Sequence, residues 1–356
     1  MKRIILLTVL VIFISGNSGL LSGYVDLGND PDRIYIKNIY EIPKSDTYDF
    51  EGFSRNGEFL AFTEKKTIKS IILRSDGSVY KKIEDNFITW TNNIDEIIAC
   101  EWLGDNSDKN LKIEILNLKT GHKRYLDLYS DKSKVRFIDY NTYNNKLIFG
   151  IDETNDLYEY DFVTDKSSKL ISLDFKIDAY FIASSENIIV SKEIKTNSSD
   201  NQEIFNLNLK SKKLKKLFPN PAAVVNYYSV KNKKNFISLE VKGDIYFIDT
   251  KGNIISNKIK LFPFKYPEDK NRIFSYDMSP NGKLLCVTNG FLKYEMDDGF
   301  TIADLFIFNL NGKWKRLTNS EKKLEFIAAW SPQGDKLIYF DNKTKKYSIV
   351  KLGKTN

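Results

Sequence analysis

A short turn motif occurs three times in this chain, each time between apolar segments with the composition of β-strands. The copies begin at Ser54, Ser279 and Ser331, and each has Asn or Gln two residues later, followed by Gly. Gly tolerates the positive φ angle that a tight turn between two strands requires. The motif therefore predicts one β-hairpin unit that is repeated along the chain.

A second type of hairpin recurs at a nearly constant interval. Its turns are predicted near positions 76, 120, 165, 211, 251 and 311, and successive positions differ by 44, 45, 46, 40 and 60. An interval of about 40 to 50 residues is typical of four-stranded propeller blades. The 20 Tyr and 24 Phe, with only 8 Pro, agree with a chain rich in β-strands.

The number of apolar strand pairs predicts an all-β propeller of seven four-stranded antiparallel blades. Seven inner pairs precede only six outer hairpins, and one strand, residues 347–352, follows the last pair. The alternating residues 33–42 provide the missing outer strand, so we expect this N-terminal strand to close the ring in the seventh blade. Six blades is the alternative, because the turn at residues 141–145 lacks Gly.

The same pattern sets the predicted domain organisation. Residues 1–23 form a signal peptide or N-terminal anchor, 24–32 a linker, 33–352 the propeller and 353–356 a tail. Lys2 and Arg3 precede an apolar run, residues 4–14, and a small-residue stretch where cleavage after Ser18 is expected. An uncleaved anchor extending to Leu21 is the competing interpretation. Either one predicts an extracytoplasmic protein, secreted or associated with the cell surface of a bacterium.

The turn motifs resemble those of a known family. The segments starting at Ser279 and Ser331 are similar to the S-P-D-G-K-x-L turn of TolB-like propeller repeats, which prolyl oligopeptidases share. Asn56, Asn281 and Gln333 replace the Asp of that pattern. The resemblance implies an extracytoplasmic protein-interaction module. The hydrolase domain of prolyl oligopeptidases is missing, because there is no G-x-S-x-G motif and no room for such a domain.

Few residues favour nucleophilic or zinc chemistry. The single histidine, His122, falls in a predicted hairpin turn, and no H-E-x-x-H or C-x-x-C occurs. Cys100 and Cys286 fall in apolar strands of the second and sixth blades, too far apart for a disulfide, so we expect two unpaired core cysteines. Trp90 and Trp330 are expected in the core.

Other aromatic and acidic residues are candidates for binding. Trp102 and Trp314 lie nearer loops or outer strands, where an exposed ring would bind a sugar or peptide. The longest interval between turns contains an insertion, 289–302, and Glu295, Asp297 and Asp298 make it the candidate ligand-binding loop. Calcium held by these oxygens is a further possibility, although the spacing does not match the EF-hand loop. No other cofactor and no catalytic residue is predicted.

The positive charge of the chain bears on the class of partner that it would bind. The net charge is +7, and residues 210–216, 231–234 and 343–346 hold five, three and three Lys. Such lysines either keep exposed edges soluble or attract anionic wall polymer or lipid headgroups. Nucleic acid is not expected for an exported chain, and the basic runs lack the interleaved aromatics of single-strand binders.

The sequence thus predicts a non-catalytic, monomeric propeller that binds a protein, peptide or wall-polymer ligand on its funnel face. One alternative is a funnel-site enzyme of the glycosidase, lyase or lactonase type that uses carboxylates from several blades. Another is a sensory ectodomain anchored by residues 1–21, which would be the only contact with a membrane.

Overall fold

The structure is a computed structural model. It describes these residues: 26–42, 47–64, 69–103, 110–126, 128, 135–141, 144–151, 154–177, 179–182, 185–194, 201–217, 228–229, 236–241, 244–249, 259–260, 271–293, 300–318, 325–341 and 344–355. The predicted signal or anchor, residues 1–23, lies outside them. Within the described ranges, no helix has the length and hydropathy needed to cross a membrane.

The described strands form seven four-stranded antiparallel sheets, which are the blades of a propeller. After a short 3-10 helix, Pro31–Arg33, the chain forms strand β1, Ile34–Glu41. Blade 1 comprises β2 (Tyr48–Phe53), β3 (Phe59–Glu64), β4 (Ser70–Arg74) and β5 (Val79–Ile83). Blade 2 comprises β6 (Asn86–Trp90), β7 (Glu96–Leu103), β8 (Asn110–Asn117) and β9 (Lys123–Leu126). Blade 3 comprises β10 (Val135–Asn141), β11 (Lys146–Ile151), β12 (Asp156–Asp161) and β13 (Lys166–Ser172).

The remaining blades follow the same order. Blade 4 comprises β14 (Ala179–Ile182), β15 (Asn187–Ile194), β16 (Asn201–Asn208) and β17 (Lys213–Lys216). Blade 5 comprises β18 (Tyr228–Ser229), β19 (Phe236–Val241), β20 (Asp244–Asp249) and β21 (Ile259–Lys260). Blade 6 comprises β22 (Asn271–Met278), β23 (Leu284–Lys293), β24 (Phe300–Asn309) and β25 (Trp314–Arg316). Blade 7 comprises β26 (Glu325–Trp330), β27 (Lys336–Asp341), β28 (Lys346–Lys354) and β1.

Strand β1 closes the ring as its outermost strand in blade 7. It pairs antiparallel with β28, from Ile34 opposite Lys354 to Glu41 opposite Ser348. The predictions of four-stranded antiparallel blades and of closure by the N-terminal strand are therefore confirmed, and the seven sheets agree with the predicted number. Because the first and last strands of the chain pair within one blade, hydrogen bonds hold the two ends of the ring together.

Apolar side chains between neighbouring blades form the core. One cluster joins blade 7 to blade 1 and includes Ile338, Ile349, Leu60 and Phe62, so the ring is closed by packing as well as by hydrogen bonds. Similar clusters lie between blades 1 and 2, 2 and 3, 3 and 4, and 6 and 7. The first strands of neighbouring blades contact each other, which makes them the inner strands of the ring.

The repeated turn motif is explained by its side chains. Ser54 Oγ accepts a hydrogen bond from Phe59 N at 2.9 Å and donates one to Asn56 Oδ1 at 2.8 Å. Ser279 makes the same two bonds in blade 6, at 2.9 and 2.7 Å. The Gly of each copy has the predicted positive φ, between +64° and +79°.

The predicted outer turns are also found where the structure describes them. Gly77, Gly121 and Gly312 have positive φ there, and Asp165 and Lys212 take the same conformation in blades 3 and 4. The turn predicted at residues 251–252 lies outside the described residues.

Candidate functional surfaces

The two ends of the ring are built from different connections. In each blade, the turn after the first strand and the turn after the third strand lie at one end, which we call the turn face. The connections after the second and fourth strands lie at the opposite end, which we call the loop face. The insertion predicted at residues 289–302 follows the second strand of blade 6 and therefore belongs to the loop face.

The structure shows that most of this insertion is a hairpin rather than an irregular loop. Strands β23 and β24 have ten residues each and pair from Leu284 opposite Asn309 to Lys293 opposite Phe300. The corresponding strand of blade 7, β27, has six residues. The ends of β23 and β24 therefore extend the blade 6 sheet on the loop face. Residues 294–299, with the predicted ligand-binding residues Glu295, Asp297 and Asp298, lie outside the described residues.

The inner strand of blade 1 carries a carboxyl group with an unusual acidity. Glu51 lies at a register shift between Phe50 and Gly52 in β2. Burial, together with the nearby charge of Asp49, raises the pKa of Glu51 to about 7, although a hydrogen bond with Thr63 acts in the opposite direction. A carboxyl with this pKa is able to exchange a proton near neutral pH. Glu51 was not predicted, because the residue pattern does not reveal a bulge.

Arg55 connects three blades on the turn face. Its Nη1 donates a hydrogen bond to Asn92 Oδ1 of blade 2, and its guanidinium lies 5.3 Å from the ring centre of Tyr140 in blade 3. Nε and Nη2 are enclosed and have no acceptor among the described residues. Burial lowers the pKa of Arg55 to about 10, opposed by Tyr140 and Asp139. Because these nitrogens are out of reach of solvent, we regard Arg55 as a link between blades rather than as a ligand contact.

Two buried aspartates occupy equivalent positions in β10 and β22. Asp277 Oδ2 accepts a hydrogen bond from Trp330 N at 2.6 Å, and Trp330 Nε1 donates to the Asp277 carbonyl at 3.1 Å, so Asp277 joins blades 6 and 7. Asp139 accepts from Tyr140 N at 2.7 Å. Burial raises the pKa of both carboxyls to about 7. Neither aspartate was predicted, since each interrupts an apolar strand without a recognisable motif.

The other residues considered in the sequence have ordinary structural positions. His122 is exposed in the turn before β9. Cys100 and Cys286 are buried and do not form a disulfide with each other, as predicted. Trp90 and Trp330 are buried in the core, also as predicted. Trp314 is half-buried in β25, where it contacts Phe306 and Phe308. The side chain of Trp102 lies outside the described part of the structure.

Metal-binding groups are not concentrated in the described part of the chain. Within it, no three His, Cys, Asp or Glu side chains are close enough to hold a metal ion. Glu295, Asp297 and Asp298 lie outside the described residues. Calcium binding by these three residues stays a prediction.

Comparison with known proteins identifies the architecture. No protein-family model matches the chain, and no curated protein matches its sequence. An oligogalacturonate lyase in complex with manganese is similar with a TM-score of 0.58 and 12% identity, over 85% of this chain and 88% of that one. The Cps50 (Swd1) propeller domain of Myceliophteria thermophila gives 0.56 and 11%, over 88% and 99%. Virginiamycin B lyase from Staphylococcus aureus gives 0.53 and 14%, over 89% and 99%.

The protein has a β-propeller fold. At identities of 11% to 14%, the similarity establishes this fold and nothing finer. The three relatives include lyases and a propeller domain of another kind, so the fold by itself does not separate binding from catalysis. The resemblance of the turns to TolB-like repeats stays a prediction.

Proposed function

We propose that this chain is an extracytoplasmic binding propeller that takes a protein or peptide ligand on its loop face, or an anionic wall polymer that a calcium ion bridges to the acidic residues there. The β23–β24 hairpin is the contact element in this proposal. A single observation supports it: both strands continue as a paired ladder to Lys293 and Phe300, where the sequence adds an acidic tip. The paired ends at Lys293 and Phe300 define the two points on the loop face that residues 294–299 connect.

The hairpin tip provides the test. Replacing residues 294–299 with Asn-Gly would join Lys293 to Phe300 by a tight turn and leave the described ladder unchanged. Arrays of peptides and purified wall polymers, probed with the labelled full chain, would first identify a ligand. We expect the shortened variant to bind that ligand at least ten-fold more weakly, with an unchanged unfolding temperature.

A matched variant separates shape from charge. Glu295→Gln, Asp297→Asn and Asp298→Asn together keep the length of the tip and remove its three charges. Loss of binding in this variant would show that the acids bind the ligand or a calcium ion. Retained binding would assign recognition to the shape of the hairpin. Unchanged binding in both variants would contradict the proposal.

An enzyme remains a second candidate because of Glu51. A carboxyl with a pKa of about 7 on an inner strand is suited to general acid or base catalysis. The test is a screen of glycosides, uronate polymers and lactones between pH 5 and 9. A base of this kind predicts a rate that rises to a plateau above pH 7, is lost in Glu51→Gln and is kept in Asp49→Asn. Absence of turnover on every substrate class would remove this candidate.

The state of the N-terminus distinguishes a secreted protein from an anchored ectodomain. The mass of the mature protein, measured after expression in a bacterial host, answers this directly. A chain beginning at Gly19 would support cleavage after Ser18, and a chain retaining residues 1–21 would support the anchored alternative.

A further inference from the structure

We infer that the turn face carries an anionic-membrane docking surface at the corner formed by blades 3 and 4. The corner consists of Val163, Lys166, Lys210, Lys212 and Lys213, and we call it the basic corner. All five residues lie in or beside the outer turns of the two blades, after β12 and after β16. The proposal goes beyond the ligand binding assigned to the loop face, which is the opposite end of the ring.

The lysines of the basic corner are available for an external partner. Lys166, Lys210, Lys212 and Lys213 are exposed, and none of them forms an ion pair with another described residue. The acid of the blade 3 turn, Asp165, is paired with Arg124 at 3.3 Å. This corner therefore presents a local excess of positive charge, which an anionic surface would attract.

An apolar side chain at the same corner favours a lipid bilayer over a soluble polymer. Val163, at the tip of the blade 3 turn, is 86% exposed, the highest value among the exposed large hydrophobic residues of the described chain. Ile94, at the inner turn of blade 2 on the same face, is 41% exposed. An exposed apolar tip beside lysines is the combination with which proteins enter the headgroup region of anionic bilayers.

The path of the N-terminus agrees with this orientation. Asp26 accepts hydrogen bonds from Asn281 Nδ2 at 2.9 Å and Lys283 Nζ at 2.8 Å, and both partners belong to the inner turn of blade 6 on the turn face. Only residues 22–25 separate Asp26 from Leu21, the end of the predicted apolar run. The five Cα–Cα steps from Leu21 to Asp26 span at most about 18 Å. If the apolar run stays attached to the protein, the turn face is the end that lies near the membrane.

Vesicle partitioning tests the charge. The full chain is mixed with vesicles of phosphatidylcholine alone or of phosphatidylcholine with phosphatidylglycerol as the minor lipid. The ratio of the two partition coefficients is measured, because the N-terminal apolar run contributes to both. Each lysine near an anionic surface changes partitioning by roughly five-fold. We expect Lys210→Gln with Lys212→Gln to lower the ratio about 25-fold.

A matched double variant and a competitor make this test specific. Lys69→Gln with Lys345→Gln removes the same charge from the loop face and should leave the ratio nearly unchanged. A ratio near one for the wild type, or an equal loss in both double variants, would overturn the proposal. Binding to soluble poly(glycerol phosphate) without binding to anionic vesicles would also overturn it and assign the corner to a wall polymer.

Fluorescence tests the apolar tip. Cys100 and Cys286 are buried, so an environment-sensitive dye would label Val163→Cys selectively. We expect a blue shift on anionic vesicles and quenching by brominated lipids. Ile39→Cys, at a site 50% exposed toward the loop-face end of β1 in blade 7, should show neither change. A dye at residue 163 that shows no shift would overturn the proposed orientation.

Discussion

Single side chains connect the blades of this ring. Asp277 accepts hydrogen bonds from Met278 N at 2.8 Å and from Trp330 N at 2.6 Å, and the second bond crosses from blade 6 to blade 7. Burial nevertheless raises the pKa of this carboxyl to about 7, because the charged form loses its hydration. The same residue therefore joins two blades and makes their stability depend on pH.

The direction of that dependence follows from proton linkage. Below about pH 4 the carboxyl is protonated in both the folded and the unfolded chain. Between about pH 4 and pH 7 the unfolded chain loses this proton first, so the free energy of unfolding falls as the pH rises. Above pH 7 the carboxyl is ionised in both the folded and the unfolded chain, and the loss of stability due to its burial is complete. Glu51 and Asp139, whose pKa values are also raised to about 7, contribute in the same direction.

Asp277→Asn tests this linkage. The amide has nearly the shape of the protonated carboxyl and does not ionise, so we expect the loss of stability between pH 5 and pH 8 to shrink by on the order of 2 kcal/mol. Urea unfolding at several pH values measures it. The control is Asp174→Asn, at an exposed carboxyl. An equal pH dependence in wild type and Asp277→Asn would contradict the assignment.

The sequence predicted those residues whose conformation depends only on their neighbours in the chain. Gly57 and its counterparts were expected at positive φ, and the structure places them there, because a turn conformation depends on its own few residues. Asp277 and Arg55 were not predicted. Their surroundings come from blades that are distant in the sequence, so no local pattern reveals them.

At the scale of elements, the N-terminal segment fastens the closing strand to the ring. Leu27 is 2% exposed and lies in the apolar cluster between blades 6 and 7. Lys313 Nζ bonds to Asp30 Oδ1 at 2.7 Å, which holds the segment against the outer turn of blade 6. The predicted linker, residues 24–32, thus includes residues that pack onto the propeller, a contact that local polarity does not reveal.

Leu27→Ala measures how much the packing of this segment contributes to the free energy of unfolding. Removing a buried Leu side chain should lower the free energy of unfolding by about 2 to 4 kcal/mol. Leu310→Ala removes the same atoms at a site 39% exposed and should cost less than about 1 kcal/mol. Chemical unfolding of both variants gives the comparison. Equal small losses would show that residues 26–33 do not contribute to closure.

Gly353 leaves room for two side chains of the closing strand to lie over β28. A Cβ atom at this position would lie 2.4 Å from Lys37 Cε and 2.8 Å from Tyr35 Cζ, so these side chains cover the glycine. Both side chains are exposed and can move aside, so we expect Gly353→Ala to destabilise the protein by less than about 1 kcal/mol. The loss of stability should be smaller in a Tyr35→Ala background. Thermal unfolding of the wild type, the two single variants and the double variant gives the coupling free energy between residues 35 and 353. Equal costs in both backgrounds would place the strain elsewhere.

At the scale of the whole molecule, the interval between hairpins was enough to predict the ring. Each blade buries its faces only against neighbouring blades, so the repeat length and the unmatched strand at each end determine how the chain closes. The predicted closure agrees with the pairing of β1 and β28. The candidate ligand residues could not be placed in the same way, since recognition depends on which side chains meet at the loop face.

The two proposed surfaces fit one orientation of the ring. A turn face directed at an anionic membrane leaves the loop face and the β23–β24 hairpin directed outward. Each surface is tested by its own variants, so the failure of one does not decide the other.

Hydrogen exchange of the protein with and without its ligand tests the central claim most directly. The ligand is the tightest binder from the peptide and wall-polymer arrays. We predict slower exchange for residues 289–302, at the end of the hairpin, and no change at the turn-face residues 54–58 and 279–283. Protection confined to the turn face, with none at the hairpin, would contradict the account.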